Sequence, residues 1–235
     1  MAVSKRNTYF EFQSAFMNTQ NQHLDALQDI KKMMERSSRF ISLSGLSGIA
    51  AGCCALVGAW FARHIIITNL DKAEYSKALM DLGIRGIDVR AYFDLLTEKL
   101  FIVAAITFIA AFSLAFLFTY LKSKKEATPI WGNASKRLLL NVSIPMIVGA
   151  VFVLKLLQEG WVGLVAPSCL IFYGLSLVHA SKYTLGEVRY LGYGQIILGI
   201  INLWFVGKGL YFWAVGFGVL HIVYGAMMWW KYERN

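Results

Sequence analysis

The sequence predicts an all-α integral membrane protein of about six transmembrane helices, and three observations predict it. First, the 235 residues are 57% hydrophobic and only 16% charged, whereas soluble domains carry about 25% charged residues. Second, six apolar stretches approach the roughly 20 residues that a helix needs to cross hydrocarbon. Third, lysine and arginine cluster at the ends of those stretches and on one set of loops. Backbone polar groups in lipid must pair within their own segment, so spans of this kind are helices.

Residues 1–39 come first and hold no early apolar core, so they read as a cytoplasmic arm rather than a signal peptide. Leu24, Leu27, Ile30 and Met34 follow helical spacing with Asp25, Asp29, Lys32 and Arg36 between them. The stripe predicts an amphipathic helix that packs on a partner, on a second copy or on the membrane surface. The first span follows over residues 40–62. Ser44, Gly48 and Gly52 recur every four residues on one face, with Ala51, Ala55 and Ala59 on the adjacent one. Small residues let helix backbones approach closely in lipid, which marks this span for packing inside the chain or in an oligomer.

A polar loop over residues 68–99 separates the first span from the second. Thr68 or Asn69 would cap a helix there and Gly83 would end it. A second stripe, Val89, Phe93, Leu96 and Leu100, runs into the next span. The expected form is an amphipathic helical hairpin or kinked pair on the outer surface. The remaining spans are 100–121, 138–157, 161–180, 191–207 and 210–230, of which 191–207 is short. Pro145 and Pro167 would interrupt the third and fourth. Gly149 and Gly199, Tyr173-Gly174 and Tyr224-Gly225, and Lys182-Tyr183 and Lys231-Tyr232 recur about 50 residues apart. The last four spans therefore read as two tandem helical hairpins.

With the N-terminus inside, fifteen lysines and arginines fall on that side and eight on the other. The positive-inside rule then puts both termini in the cytoplasm of a multi-pass protein of the cell membrane, the inner membrane in a bacterium. Trp60, Trp131, Trp161, Trp229 and Trp230 lie near span ends, where amphipathic rings favour the headgroup level. The formal charge of +9 is explained by anionic lipid, so the expected partner surface is the bilayer and not nucleic acid.

Polar groups inside spans are costly and are the first candidates for function. Asn202 and His221 fall at comparable depth in the fifth and sixth spans, with Tyr224 one turn below His221. They form a candidate polar intramembrane site. His179, Glu187 and Arg189 form a candidate cluster at the inner surface. Cys53, Cys54 and Cys169 sit in apolar runs without disulfide or zinc spacing. No phosphate loop, HExxH, CxxC or GxSxG is present, and neither a metal nor a cofactor is expected. The residues favour a non-enzymatic assembly, sensor or accessory subunit acting through residues 1–39 and the first span, with a protein partner or a second copy. The alternative is a small transporter or channel for an uncharged or lipid-like solute. A lipid enzyme working through His179, Glu187 and Arg189 ranks third.

Overall fold

The computed structural model describes residues 44–81, 89–126 and 130–234, with side chains placed for 44–69, 96–126 and 130–234. Among these residues every regular element is helical. We number them α1 (Gly45–Asp81), α2 (Val89–Lys125), α3 (Asn133–Gln158), α4 (Val165–Ala180), α5 (Val188–Trp204) and α6 (Gly209–Tyr232). A 3-10 turn, Val162–Leu164, leads into α4, and α6 contains a π-helical segment, Ala214–Leu220. We call the side of the bundle where α1 begins the near end and the opposite side the far end. The arm at 1–39 and the first residues of the predicted first span lie outside the described residues.

Five helical stretches are long and apolar enough to cross a membrane: Gly45–Asn69, Leu96–Lys125, Asn133–Gln158, Val162–Ala180 and Gly209–Tyr232. The sixth expected span is α5. It has 17 residues, about 25 Å at 1.5 Å per residue. It starts earlier than predicted and stops at Trp204, because Phe205 leaves the helical region and Gly207 turns the chain with φ +90°. That conformation suits glycine alone among common residues. Gly160, at φ +78°, makes the matching turn between α3 and α4.

The predicted loop helices at 68–99 are not separate elements. α1 runs unbroken to Asp81 and α2 starts at Val89, each 37 residues long. The reason is local. Neither glycine nor proline occurs between Gly58 and Gly83, or between Gly86 and Pro129, so nothing stops either helix at the membrane surface. Asn69 is no cap; its amide donates to the Ile65 carbonyl one turn back, 2.7 Å away. Pro167 also departs from expectation. It sits in the first turn of α4, just after the 3-10 turn, where a missing N–H breaks little of the ladder. Pro145 does lie inside α3.

Packing radiates from two contacts. α1 takes α2 on one side and α6 on the other, while α4 lies between α3 and α5 and also meets the start of α6. Close backbone approach makes both possible. A methyl at Gly52 would come 2.6 Å from the Gly218 carbonyl oxygen, and one at Gly225 would come 2.6 Å from that of Gly45. Between α4 and α5 the fit is reciprocal: methyls at Gly174 and Gly192 would lie 2.7 and 2.8 Å from each other's carbonyls. α2 and α3 are peripheral. Only 6% of the apolar window of each is buried by protein, against 39% for α1, and the phenylalanines and isoleucines they expose suit lipid. The tandem pairing of the last four spans does not extend to their contacts. Gly149 faces Phe172 within its own hairpin, but Gly199 faces Ile171 and Pro167 of the preceding one.

The near end is fastened by Glu233. Its carboxylate accepts from the Gly45 backbone N–H (2.6 Å), the Ser44 hydroxyl (3.2 Å) and the Lys122 ammonium (3.2 Å). An anion at a helix start is favoured by the unpaired N–H groups and the helix dipole. One side chain thus holds the beginning of α1, the end of α2 and the end of α6. Leu185, Val188 and Met228 form a buried apolar cluster, with Leu177 and Tyr224 packed against them.

Candidate functional site

The candidate site is built where α4, α5 and α6 meet at the π-helical segment. A π turn shifts backbone pairing by one residue and is frequent at functional sites. Here two side chains converge on one carbonyl of that segment. Gln195 Nε2 donates to the Gly216 oxygen at 2.7 Å, and His221 Nδ1 lies 3.1 Å from the same oxygen.

A carbonyl only accepts, which fixes the protons. His221 carries its hydrogen on Nδ1, so Nε2 is the acceptor and takes the hydroxyl proton of Tyr173 at 2.8 Å. The 3.5 Å separation of Gln195 Nε2 and His221 Nδ1 then sets two donors side by side, each pointing at Gly216. The same logic orients the Gln195 amide, because its oxygen would be repelled by that carbonyl. Gln195 Oε1 is left without a hydrogen-bond partner within the protein. Aromatic rings wall the group: Tyr173 and Phe217 stack near His221, with centroids 5.5 and 6.1 Å away, and Trp213 lies beyond Phe217.

Two further buried polar groups extend this arrangement towards the two ends. Asn202 lies two turns beyond Gln195 on α5, about 10 Å along the axis. Both residues belong to the buried stripe of α5 that includes Val188, Gly192 and Gly199. Asn202 is 1% exposed and Gln195 0%, and neither amide atom of Asn202 is paired within the protein. At the far end it lies near Gly209, where an added methyl would come 3.9 Å from Asn202 Nδ2. Towards the near end, the Tyr224 hydroxyl is also buried and unpaired within the protein. It lies within electrostatic range of Tyr173, Glu187 and Tyr232. Glu187 accepts from Lys231 at 2.5 Å and from Tyr232 at 2.8 Å. The Lys231 hydrogen bond, aided by Tyr232, holds its carboxyl below the usual carboxylate range against a smaller desolvation effect.

The predicted residues are distributed as follows. His221 and Asn202 both sit on the α4–α5–α6 interface, but His221 is bonded to Tyr173 and Gly216 rather than to Asn202. Tyr224 follows His221 towards the near end. Gly48 and Gly52 face Gly225 and Gly218 of α6, and Ser44 bonds Glu233. His179, Glu187 and Arg189 are not brought together. His179 Nδ1 lies 3.3 Å from the Asn141 carbonyl, Arg189 donates to Tyr190, and Glu187 is held by α6. Each is engaged by a different neighbour, so no acid–base cleft forms from the three.

The sequence reading missed Tyr173, Gln195, Gly216 and Glu233. Gln195 carried a usable signal, as an amide in the middle of an apolar run. The π turn had only the spacing of Gly216 and Gly218 to announce it, which is equally compatible with ordinary packing. Among the described residues no group of three or more histidine, cysteine, aspartate or glutamate side chains could hold a metal ion, and Cys53, Cys54 and Cys169 are free. Comparison with known proteins matches no family model, no curated protein and no solved structure.

Proposed function

We propose that this chain is a small transporter or channel for an uncharged polar solute, working through the Tyr173–Gln195–His221 site at the π segment of α6. One observation carries the reading. Gln195, Asn202 and Tyr224 hold hydrogen-bonding atoms with no partner in the protein, within an apolar helix bundle. Leaving a buried donor or acceptor unmade costs about 1–3 kcal/mol. Polar residues kept in a membrane interior mark substrate and ion pathways. These groups occur on one helix interface, from the Asn202 end to the Tyr224 end, as a solute path requires. Their chemistry is neutral amide and hydroxyl, which suits an uncharged solute rather than an ion. The near end, where α1 begins and α6 ends, carries Lys122, Lys124, Lys125, Lys136, Arg137, Lys182, Arg189, Lys231 and Arg234 among the described residues and is taken as cytoplasmic on the positive-inside rule.

The reading as an assembly subunit drew on the small-residue faces of the first span. Both are used inside the chain: Gly48 and Gly52 by α6, and Gly58, on the alanine side, by Thr107 of α2. That reading now rests on residues 1–39, which lie outside the described structure.

The test is solute flux in proteoliposomes. Vesicles containing the purified chain and challenged with glycerol or urea should re-swell faster than protein-free vesicles. Gln195→Leu should reduce that excess by about tenfold or more, the scale of one lost buried hydrogen bond. Re-swelling identical to that of protein-free vesicles for both solutes would remove the proposal.

A further inference from the structure

We infer that Asn202 is a second, outer station on this path, and that it selects solutes carrying a carboxamide or urea group. The inference rests on the transport reading above and adds to it the class of solute. The argument starts from what is unpaired. Asn202 is 1% exposed, yet both its amide nitrogen and its amide oxygen lack partners in the protein. A free primary amide offers a donor and an acceptor side by side in one plane. The group that satisfies both at once is another amide or a urea, through two parallel hydrogen bonds. A lone hydroxyl meets the pair less well.

The setting supports a station rather than a packing defect. Asn202 lies one residue pair before the end of α5, which stops at Trp204. Gly209, which opens α6, has no side chain to fill the space next to it: a methyl added there would lie 3.9 Å from Asn202 Nδ2 and 2.9 Å from Ala166 Cβ in the first turn of α4. The next unpaired acceptor along the same stripe of α5 is Gln195 Oε1, about 10 Å deeper. It too belongs to an amide, and its nitrogen keeps one hydrogen after bonding Gly216. A solute that pairs with Asn202 therefore meets the same chemistry at the second station. Sites built to hydrogen-bond a given group discriminate strongly against analogues that leave the site's own polar atoms unpaired.

The experiment compares urea with glycerol in proteoliposomes of the full chain, by the rate of light-scattering recovery. The wild-type chain should pass urea about tenfold faster than glycerol, since urea presents its donor and acceptor in one plane, matched to the amide, whereas glycerol must bring two hydroxyls on separate tetrahedral carbons into line to make the second hydrogen bond. Asn202→Leu should abolish that preference by removing urea flux, while Phe112→Ala, on the lipid face of α2, should leave it intact. If Asn202→Leu does not elute as a single species, Asn202→Ser replaces it. The serine keeps a hydroxyl but not the planar donor and acceptor on separate atoms, and should lower the ratio at least threefold. Flux without urea preference in the wild type, or a preference that survives both substitutions, overturns the outer station while leaving transport standing. No flux of either solute overturns transport and this inference together.

Discussion

A methyl group added at Gly216 would lie 2.4 Å from Leu170 Cδ2 and 2.6 Å from Gln195 Oε1. Leu170 is fully buried and cannot move away cheaply. Gly216→Ala is therefore expected to destabilise the chain by about 1–3 kcal/mol, the usual range for overpacking, and to lower its melting temperature in detergent by several degrees. Tyr173→Phe acts differently, since it removes no volume that the bundle needs. It leaves His221 Nε2 buried without a donor, at about 1–3 kcal/mol, and solute flux should fall with it. A melting temperature equal to wild type in both variants would show that the network does not hold the helices. At the near end, Glu187 gives a pH dependence. Its carboxyl titrates below the ordinary 4.5 when folded, chiefly through Lys231. Such a group stabilises the fold above its unfolded value, and the contribution is lost as pH falls through the lower folded one. Thermal stability should be level in this respect above about pH 5 and drop below it, modestly, because the pair is partly exposed. Lys231→Met should flatten that part of the profile, and an unchanged profile would count against the pair.

At the scale of elements, the joint between α1 and α6 is the one that tolerates least. Gly45, Gly48 and Gly52 of α1 meet Trp229, Gly225 and Gly218 of α6 through backbone atoms, where a methyl already lies within 2.3–3.1 Å of its neighbour. Without hydrophobic force between helices in lipid, this packing is what holds them. Gly52→Leu should separate α1 from α6 and turn a single elution peak into aggregate, whereas Phe112→Leu on α2, which faces lipid, should elute as wild type does. The contrast also explains what could be read from the sequence. Five apolar spans and the small-residue face of α1 were legible, because hydropathy and four-residue spacing are local properties. The choice of α6 as the partner of that face was not, since Gly218 and Gly225 are 166 and 173 residues from Gly52 in the chain and similar glycines occur on α4 and α5. The site was legible in part for the same reason. Asn202, His221 and Tyr224 stand out singly as polar residues in apolar runs. The partners of His221, namely Tyr173, Gln195 and the Gly216 carbonyl, depend on a π turn that shifts the register of α6, which Gly216 and Gly218 alone do not announce.

For the whole molecule, everything rests on six crossings, and α5 is the crossing that composition leaves least secure. At 17 residues it is about 5 Å shorter than a typical hydrocarbon core. Its ends nevertheless look like membrane boundaries: Tyr190 and Tyr193 are exposed at the near end and Trp204 at the far end, where amphipathic rings sit. α5 also packs along α4 through the reciprocal Gly174–Gly192 contact, so it shares the depth of a helix that is long and apolar enough to span. If α5 crosses, residues on either side of it face opposite solutions. Gly132 and Gly186 both have open space around the position of an added side chain, so cysteine fits there without strain. Both lie at the near end, while Glu159 and Lys208 lie exposed at the far end. In a chain stripped of Cys53, Cys54 and Cys169, an impermeant thiol reagent should label Glu159→Cys and Lys208→Cys in intact cells. It should label Gly132→Cys and Gly186→Cys only after the membrane is opened. A short α5 that failed to cross would put Gly186 and Lys208 on one side. The two cysteines would then label together, and the proposed path along Gln195 and Asn202 would lose the two separate ends that transport needs.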